Sequence, residues 1–138
     1  MQTRALYLLV LTLSGCAMSD QSSDWMSEDV AGPEPVAYRY MIANALPTIV
    51  GGSQLEANFM EISSPRRVDS IKGATWLVCV KLTTLGSQRE QTYFYTAFIQ
   101  REKIIDSRGS VGIDACEHQP YSVFDWKADL QQPPALLR

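Results

Sequence analysis

The 138-residue sequence is poor in the residues that most often carry catalysis or bind metals, with one histidine and three cysteines. It has no CxxC, HExxH, Gly-x-Ser-x-Gly or phosphate-loop pattern, so no zinc, hydrolase or nucleotide site is indicated. Lysine and arginine number 12 against 15 acidic residues, and the net charge of −3 argues against a nucleic-acid-binding surface. No apolar run approaches the roughly 20 residues of a membrane-spanning helix. We therefore predict a protein that is not an enzyme and has no metal, no small-molecule cofactor and no nucleic-acid partner.

The first sixteen residues carry the strongest pattern in the sequence. Arg4 supplies a positive charge, an apolar run follows at 5–13, and the run ends in Leu13-Ser14-Gly15-Cys16. The run has the length of a signal-peptide core and is too short to cross a bilayer. With these features in this order, the segment resembles bacterial lipoprotein precursors, whose lipobox is a branched aliphatic residue, a small residue, glycine and cysteine. An ordinary secretory signal or an incidental cysteine is the alternative.

The resemblance implies a membrane anchor at Cys16. A peptidase would remove residues 1–15 as a signal peptide, and the Cys16 thiol would carry a diacylglycerol. One acyl chain binds a membrane only marginally, at about 0.8 kcal/mol per buried CH₂, so two or three chains are needed for a stable anchor. In enterobacterial lipoproteins, an aspartate directly after the cysteine retains the protein at the inner membrane, whereas here Ala17 follows the cysteine. The resemblance therefore implies the bacterial cell envelope, with the outer membrane facing the periplasm favoured.

Composition divides the remaining chain into three parts. Residues 16–34 begin with the acylated cysteine and continue with serine and unpaired acidic residues, which predicts a flexible acidic tether. Residues 35–126 contain the periodic apolar patterns and are expected to form a single globular domain. Residues 127–138 are polar and contain two consecutive prolines, so we predict a flexible C-terminal tail.

The periodic patterns predict an α+β domain in which an N-terminal helix packs on an antiparallel β-meander of about 3–5 strands. Helical spacing after Pro35 predicts a helix over about 35–46. The segment 56–63 fits either a helix or a strand; we favour a strand that ends at Pro65. A small all-β barrel is the alternative fold. Further strands are predicted at 76–82, 92–99 and 104–106.

Assigning Cys16 to lipid leaves Cys79 and Cys116 in a protein expected to fold in an oxidising compartment. We therefore predict a Cys79–Cys116 disulfide, with two buried thiols as the alternative. Cys116, Glu117 and His118 are adjacent in sequence, but a disulfide would consume the thiol that a nucleophilic site needs. Cys79, Cys116 and His118 would supply only three zinc ligands, so no metal site is predicted there.

The predicted function is a non-enzymatic binding or assembly role in the cell envelope, with a protein as the partner. Its candidate interaction surface consists of Tyr93, Tyr95, Asp114 and Glu117, since aromatic residues are typical of interfaces. One alternative is an inhibitor of a host or rival hydrolase that uses the loop at 112–120. The others are an accessory lipoprotein of an envelope or secretion complex, and an enzyme of unusual design.

Overall fold

The computed structural model describes residues 29–52, 58–86 and 89–135. The predicted signal peptide at 1–15, the acylation of Cys16 and the tether as far as residue 28 lie outside the described residues. In the part of the chain that is described, no helix is long and apolar enough to span a membrane.

The described chain is mostly an antiparallel sheet of six strands, accompanied by short helices. The strands pair in the order β5-β4-β3-β1-β6, and β2 also pairs with β3. This order is linear, so these strands form an open sheet and not the barrel considered above. The sheet is also larger than the predicted meander. In chain order the elements are α1 (Tyr38–Val50), β1 (Asn58–Ser63), β2 (Arg66–Ser70), β3 (Gly73–Leu85), β4 (Glu90–Gln100), β5 (Lys103–Gly109), 3₁₀ turns at Gly112–Asp114 and Cys116–His118, β6 (Tyr121–Val123) and α2 (Trp126–Leu130).

Strand β3 organises the sheet because it pairs with three other strands. On one side β1 and β2 lie end to end along it, with Ile62 opposite Val80 and Arg66 opposite Leu77. The register therefore shifts by one residue around Pro65, which has no N–H to donate to the ladder. On its other side β3 pairs with β4 along ten consecutive residues.

One face of the sheet packs against α1 and forms the main core. Ile42 and Leu46 of the helix are fully buried with Val78 and Val80 of β3. The helix begins at Tyr38, later than predicted, because the chain first makes a turn after residue 35. It also continues past the predicted end.

The continuation of α1 runs through Pro47, which lacks the N–H that a helix interior normally uses. Ile49 and Val50, at the end of this continuation, are both buried in the main core. Their apolar burial offsets the lost hydrogen bond, since burying one such side chain stabilises by about 1.5–3 kcal/mol. Gly51, with a φ of 80°, ends the helix.

The opposite face of the sheet carries a second, smaller core built around a disulfide. Cys79 of β3 and Cys116 are bonded, with their Cα atoms 5.6 Å apart. The pairing predicted from the cysteine count is therefore present in the structure. Leu77 and Phe98 complete the buried part of this core. The bond fastens residues 112–118, which we call the clamp, across the middle of this face.

The folded chain continues beyond residue 126, where the flexible tail was predicted to begin. The carboxylate of Asp125 accepts a hydrogen bond from the N–H of Ala128 and caps α2. The guanidinium of Arg39 on α1 makes an ion pair with Asp129 at 3.0 Å. Leu130 packs against the main core, so the beginning of the predicted tail is part of the domain.

Candidate functional site

The clamp is held by a buried carboxylate as well as by the disulfide. Asp114 is 3% exposed. Its side chain accepts two hydrogen bonds from the guanidinium of Arg108, at 2.6 and 2.9 Å. It also accepts from the N–H of Val111 at 2.9 Å and from the hydroxyl of Thr96 at 3.1 Å. The guanidinium of Arg66 donates to the Asp114 carbonyl at 2.7 Å, so the backbone of the clamp is fixed too.

These contacts decide the ionisation of Asp114. Burial by itself would raise the pKa of this carboxyl, but the hydrogen bonds from Arg108, Val111 and Thr96 outweigh burial and hold its pKa below the ordinary value. The group is therefore a buried carboxylate with a charged partner. The sequence suggested this residue as part of an interaction surface; its side chain is buried and its charge is paired with Arg108.

A concave surface of about 610 Å³, the apolar groove, lies on one side of the clamp. Its floor and walls combine side chains from the sheet and from the clamp. The walls end in two exposed isoleucines: Ile71 is fully exposed and Ile113 is 88% exposed. The apolar lining residues are Val68, Ile71, Leu77, Phe98, Ile105 and Ile113.

Four of the five charged residues that line the apolar groove are paired with one another. Arg108 binds Asp114 and lies over the Phe98 ring, 5.1 Å from its centroid. Lys72 lies 3.7 Å from Asp106, and both side chains are at least half exposed. These two pairs compensate both lining cations, and Asp69 is the fifth charged lining residue, so the described lining is chiefly apolar with one acidic residue in excess.

The sequence reasoning missed the apolar groove. Ile71 and Lys72 form the turn between β2 and β3, because Ser70 pairs with Gly73. Such turns usually contain glycine, asparagine or aspartate. An isoleucine in this position was the available signal, because a large apolar side chain at a turn cannot enter the core of its own domain.

A second concave surface of about 460 Å³, the tyrosine cleft, lies on the other side of the clamp. It is lined by Tyr93, Tyr95, Glu117 and His118, among others. Three of the four residues predicted as an interaction surface therefore come together here. Burial, with a smaller contribution from Tyr93, raises the pKa of Tyr95, so its phenol is neutral at pH 7.

The arrangement of titratable groups gives no nucleophile at the Cys116-Glu117-His118 sequence, because the Cys116 sulfur is in the disulfide. Among the residues that the structure describes, no group of three His, Cys, Asp or Glu side chains could hold a metal ion. The apolar groove and the tyrosine cleft are concave surfaces that both include residues of the clamp. Comparison of the chain with known protein families, with curated proteins and with solved structures finds no match.

Proposed function

We propose that this protein is a lipid-anchored protein of the bacterial envelope that binds another protein through the apolar groove and catalyses no reaction. The lipobox-like segment ending in Cys16 supports the anchor, and Ala17 after it favours the outer membrane, facing the periplasm. The groove between two exposed isoleucines is the observation that carries the binding role.

The size and chemistry of the apolar groove support binding. Its volume falls in the range of about 300–1,000 Å³ that is typical of ligand sites, and its lining is mainly apolar. Ile71 and Ile113 line the groove and expose large aliphatic side chains. Exposed apolar side chains around a concavity mark interaction surfaces, and a partner would bury both isoleucines together with the groove floor.

Site-specific photocrosslinking of the full chain in bacterial cells tests the binding role. A photoreactive side chain replaces Ile71 or Ile113, and in a control protein it replaces Val36, which is 78% exposed but does not line the groove. We expect the same protein adduct from both groove positions and none from Val36. Equal adducts from all three positions, or no protein adduct, would contradict a specific groove partner.

The anchor is tested separately by mass spectrometry of the purified chain. We expect the N-terminal residue to be Cys16 with a diacylglycerol on its sulfur, and the chain to be recovered with membranes. Cys16→Ser should remove the lipid and release the protein from the membrane fraction. A wild-type chain that retains residues 1–15, or that lacks lipid, would contradict the proposed anchor.

A hydrolase inhibitor is the second candidate function, and the clamp is the feature that favours it. Ile113 is exposed on a segment that the disulfide and Asp114 hold in place. A loop ordered before binding loses less conformational freedom when it enters an active site. Identification of the crosslinked partner separates the candidates, since a hydrolase would support the inhibitor and an envelope assembly would support the accessory role.

A further inference from the structure

We propose that the tyrosine cleft binds an extended polypeptide segment, which adds as a strand to β4 along the edge that β5 leaves open. The site is separate from the apolar groove. Its ligand would be bound mainly by main-chain hydrogen bonds, whereas the apolar groove offers apolar contacts. The proposal goes beyond the binding role assigned to the apolar groove and does not depend on it.

The edge of β4 is open because β5 is the shorter strand. β4 begins at Glu90, but its pairing with β5 begins only at Tyr95, opposite Gly109. The N–H of Ser110 donates to the carbonyl of Phe94 at 2.8 Å, and the chain then turns away toward the clamp. Among the described residues, no strand pairs with this side of β4 before Phe94.

The main-chain groups of Thr92 point toward this open edge. In a β-strand, the N–H and C=O of every second residue point to the same side. The Phe94 carbonyl points to the β5 side because it accepts from Ser110. Thr92 lies two residues before Phe94, so its N–H and C=O point to the same side, while the intervening Tyr93 bonds to β3. No residue in the described ranges pairs with this donor and acceptor, and such groups are a template for another strand.

The cleft leaves room for that strand. Residues 92–95 of β4 form one wall, and residues 109–112, where the chain leaves the sheet, form another. The cavity thus lies beside the open edge, where a continuation of β5 would run. The first four residues of β4 are exposed, so its open end is accessible. Phe94 and Val111 also line the cleft and offer apolar contacts to alternate side chains of a bound segment.

Charge around the cleft favours a basic segment. Glu117 is the one acidic residue among the described lining residues, and His118 is the one basic residue. Arg89 and Glu90 are exposed at the start of the open edge, do not line the cleft and carry opposite charges, so the negative charge of the cleft comes from Glu117. The Asp114 charge is compensated by Arg108, and neither residue lines the cleft. A lysine or arginine in the segment would therefore meet negative charge.

The proposal is tested by titrating the full chain, in detergent micelles, with a heptapeptide of alternating valine and lysine while amide NMR signals are followed. We expect saturable shifts at Thr92 and Ser110. A peptide of the same sequence with alternate main-chain nitrogens methylated should bind at least about tenfold more weakly, because it cannot complete the ladder. Replacing lysine by glutamate should weaken binding about fivefold, through repulsion by Glu117.

A matched pair of variants tests the same edge from the protein side. Thr92→Pro removes an N–H that faces the open edge and is not bonded to β3. Strands tolerate proline at positions of this kind. Thr92→Val keeps this N–H. We expect Thr92→Pro to weaken peptide binding about tenfold and Thr92→Val to leave it within about twofold of wild type. If Thr92→Pro fails to fold, the methylated peptide on the wild-type chain decides the question.

Four results would overturn the proposal. Absence of saturable binding would do so, as would equal binding of the methylated and unmethylated peptides. Peptide-induced shifts at Ile71 and Ile113 instead of Thr92 would place the peptide in the apolar groove. Shifts at Thr92 that depend on protein concentration without peptide would identify a second copy of this chain as the occupant.

Discussion

The disulfide should supply a large share of the stability of this domain. Cys79 and Cys116 are separated by 37 residues in sequence, so the bond closes a long loop in the unfolded chain. In the chain-entropy description, closing a loop of this length lowers the conformational entropy of the unfolded chain by about 13 cal/mol/K. At 25 °C this corresponds to a stabilisation of about 4 kcal/mol. Domains of ordinary stability unfold with about 5–15 kcal/mol, so loss of the bond should bring this protein near the limit of folding.

The measurement compares urea unfolding of three samples at pH 7. They are the wild-type protein, the wild-type protein with a thiol reductant, and the Cys79→Ala/Cys116→Ala variant. Both sulfurs are buried, so the variant also loses packing contacts, whereas the reduced protein retains its sulfur atoms. We expect the reduced protein to lose about 4 kcal/mol of unfolding free energy and the variant to lose somewhat more.

The two comparisons separate the effect of the cross-link from the effect of packing. A loss below about 1 kcal/mol in the reduced protein, with a large loss in the alanine variant, would assign the stability to packing and refute the loop-entropy argument. Equal slopes of the unfolding free energy against urea concentration would show that the three samples expose similar amounts of surface when they unfold.

Three further predictions concern single side chains. Asp114→Asn should destabilise the protein by about 2 kcal/mol, because it removes a buried charge that faces Arg108. The folded-state pKa of Asp114 is lowered, so its contribution to the unfolding free energy is present above the ordinary pKa of 3.8 and is lost as pH falls through the folded pKa. In urea titrations at decreasing pH, the unfolding free energy of Asp114→Asn should therefore fall less steeply than that of the wild type. Leu46→Ala, in the main core, should cost about 2–5 kcal/mol of unfolding free energy, whereas Ile71→Ala should change it by less than about 0.5 kcal/mol. Burial, with a smaller effect of a nearby glutamate, raises the pKa of Tyr121 to about 12, so its stabilising contribution is complete below pH 10 and is lost as pH rises toward 12. In an ultraviolet titration, Tyr121→Phe should lack the phenol that ionises near pH 12; an unchanged titration in that range would contradict the assignment.

The long central strands could be predicted because their signal is local. The predicted segments 76–82 and 92–99 fall inside β3 and β4, where β-branched and aromatic residues are concentrated. Strand β2 was missed because it carries two arginines, an aspartate and a serine around Val68. Its pairing is decided by β3, which offers a free edge beside it, and not by its own composition.

In the candidate sites too, features set by neighbouring residues could be predicted, whereas features set by residues far apart in the sequence could not. Aromatic residues next to the clamp suggested an interaction surface, and three of the predicted residues line the tyrosine cleft. The burial of Asp114 could not be anticipated, because its partners Thr96 and Arg108 lie on two different strands. The apolar groove is likewise assembled from β2, β3, β4, β5 and the clamp, so no single stretch of sequence reveals it.

The position of β6 has a consequence for the order in which the chain folds. β6 pairs with β1, and the Ser122 hydroxyl reaches the Ile62 carbonyl across a separation of 60 residues. By contrast, β3, β4 and β5 follow one another and pair with their immediate neighbours in sequence. Contacts between near neighbours form before those that must close a long loop. The three-stranded assembly of β3, β4 and β5 should therefore form first, and the disulfide should form only when the residues after β5 pack onto it.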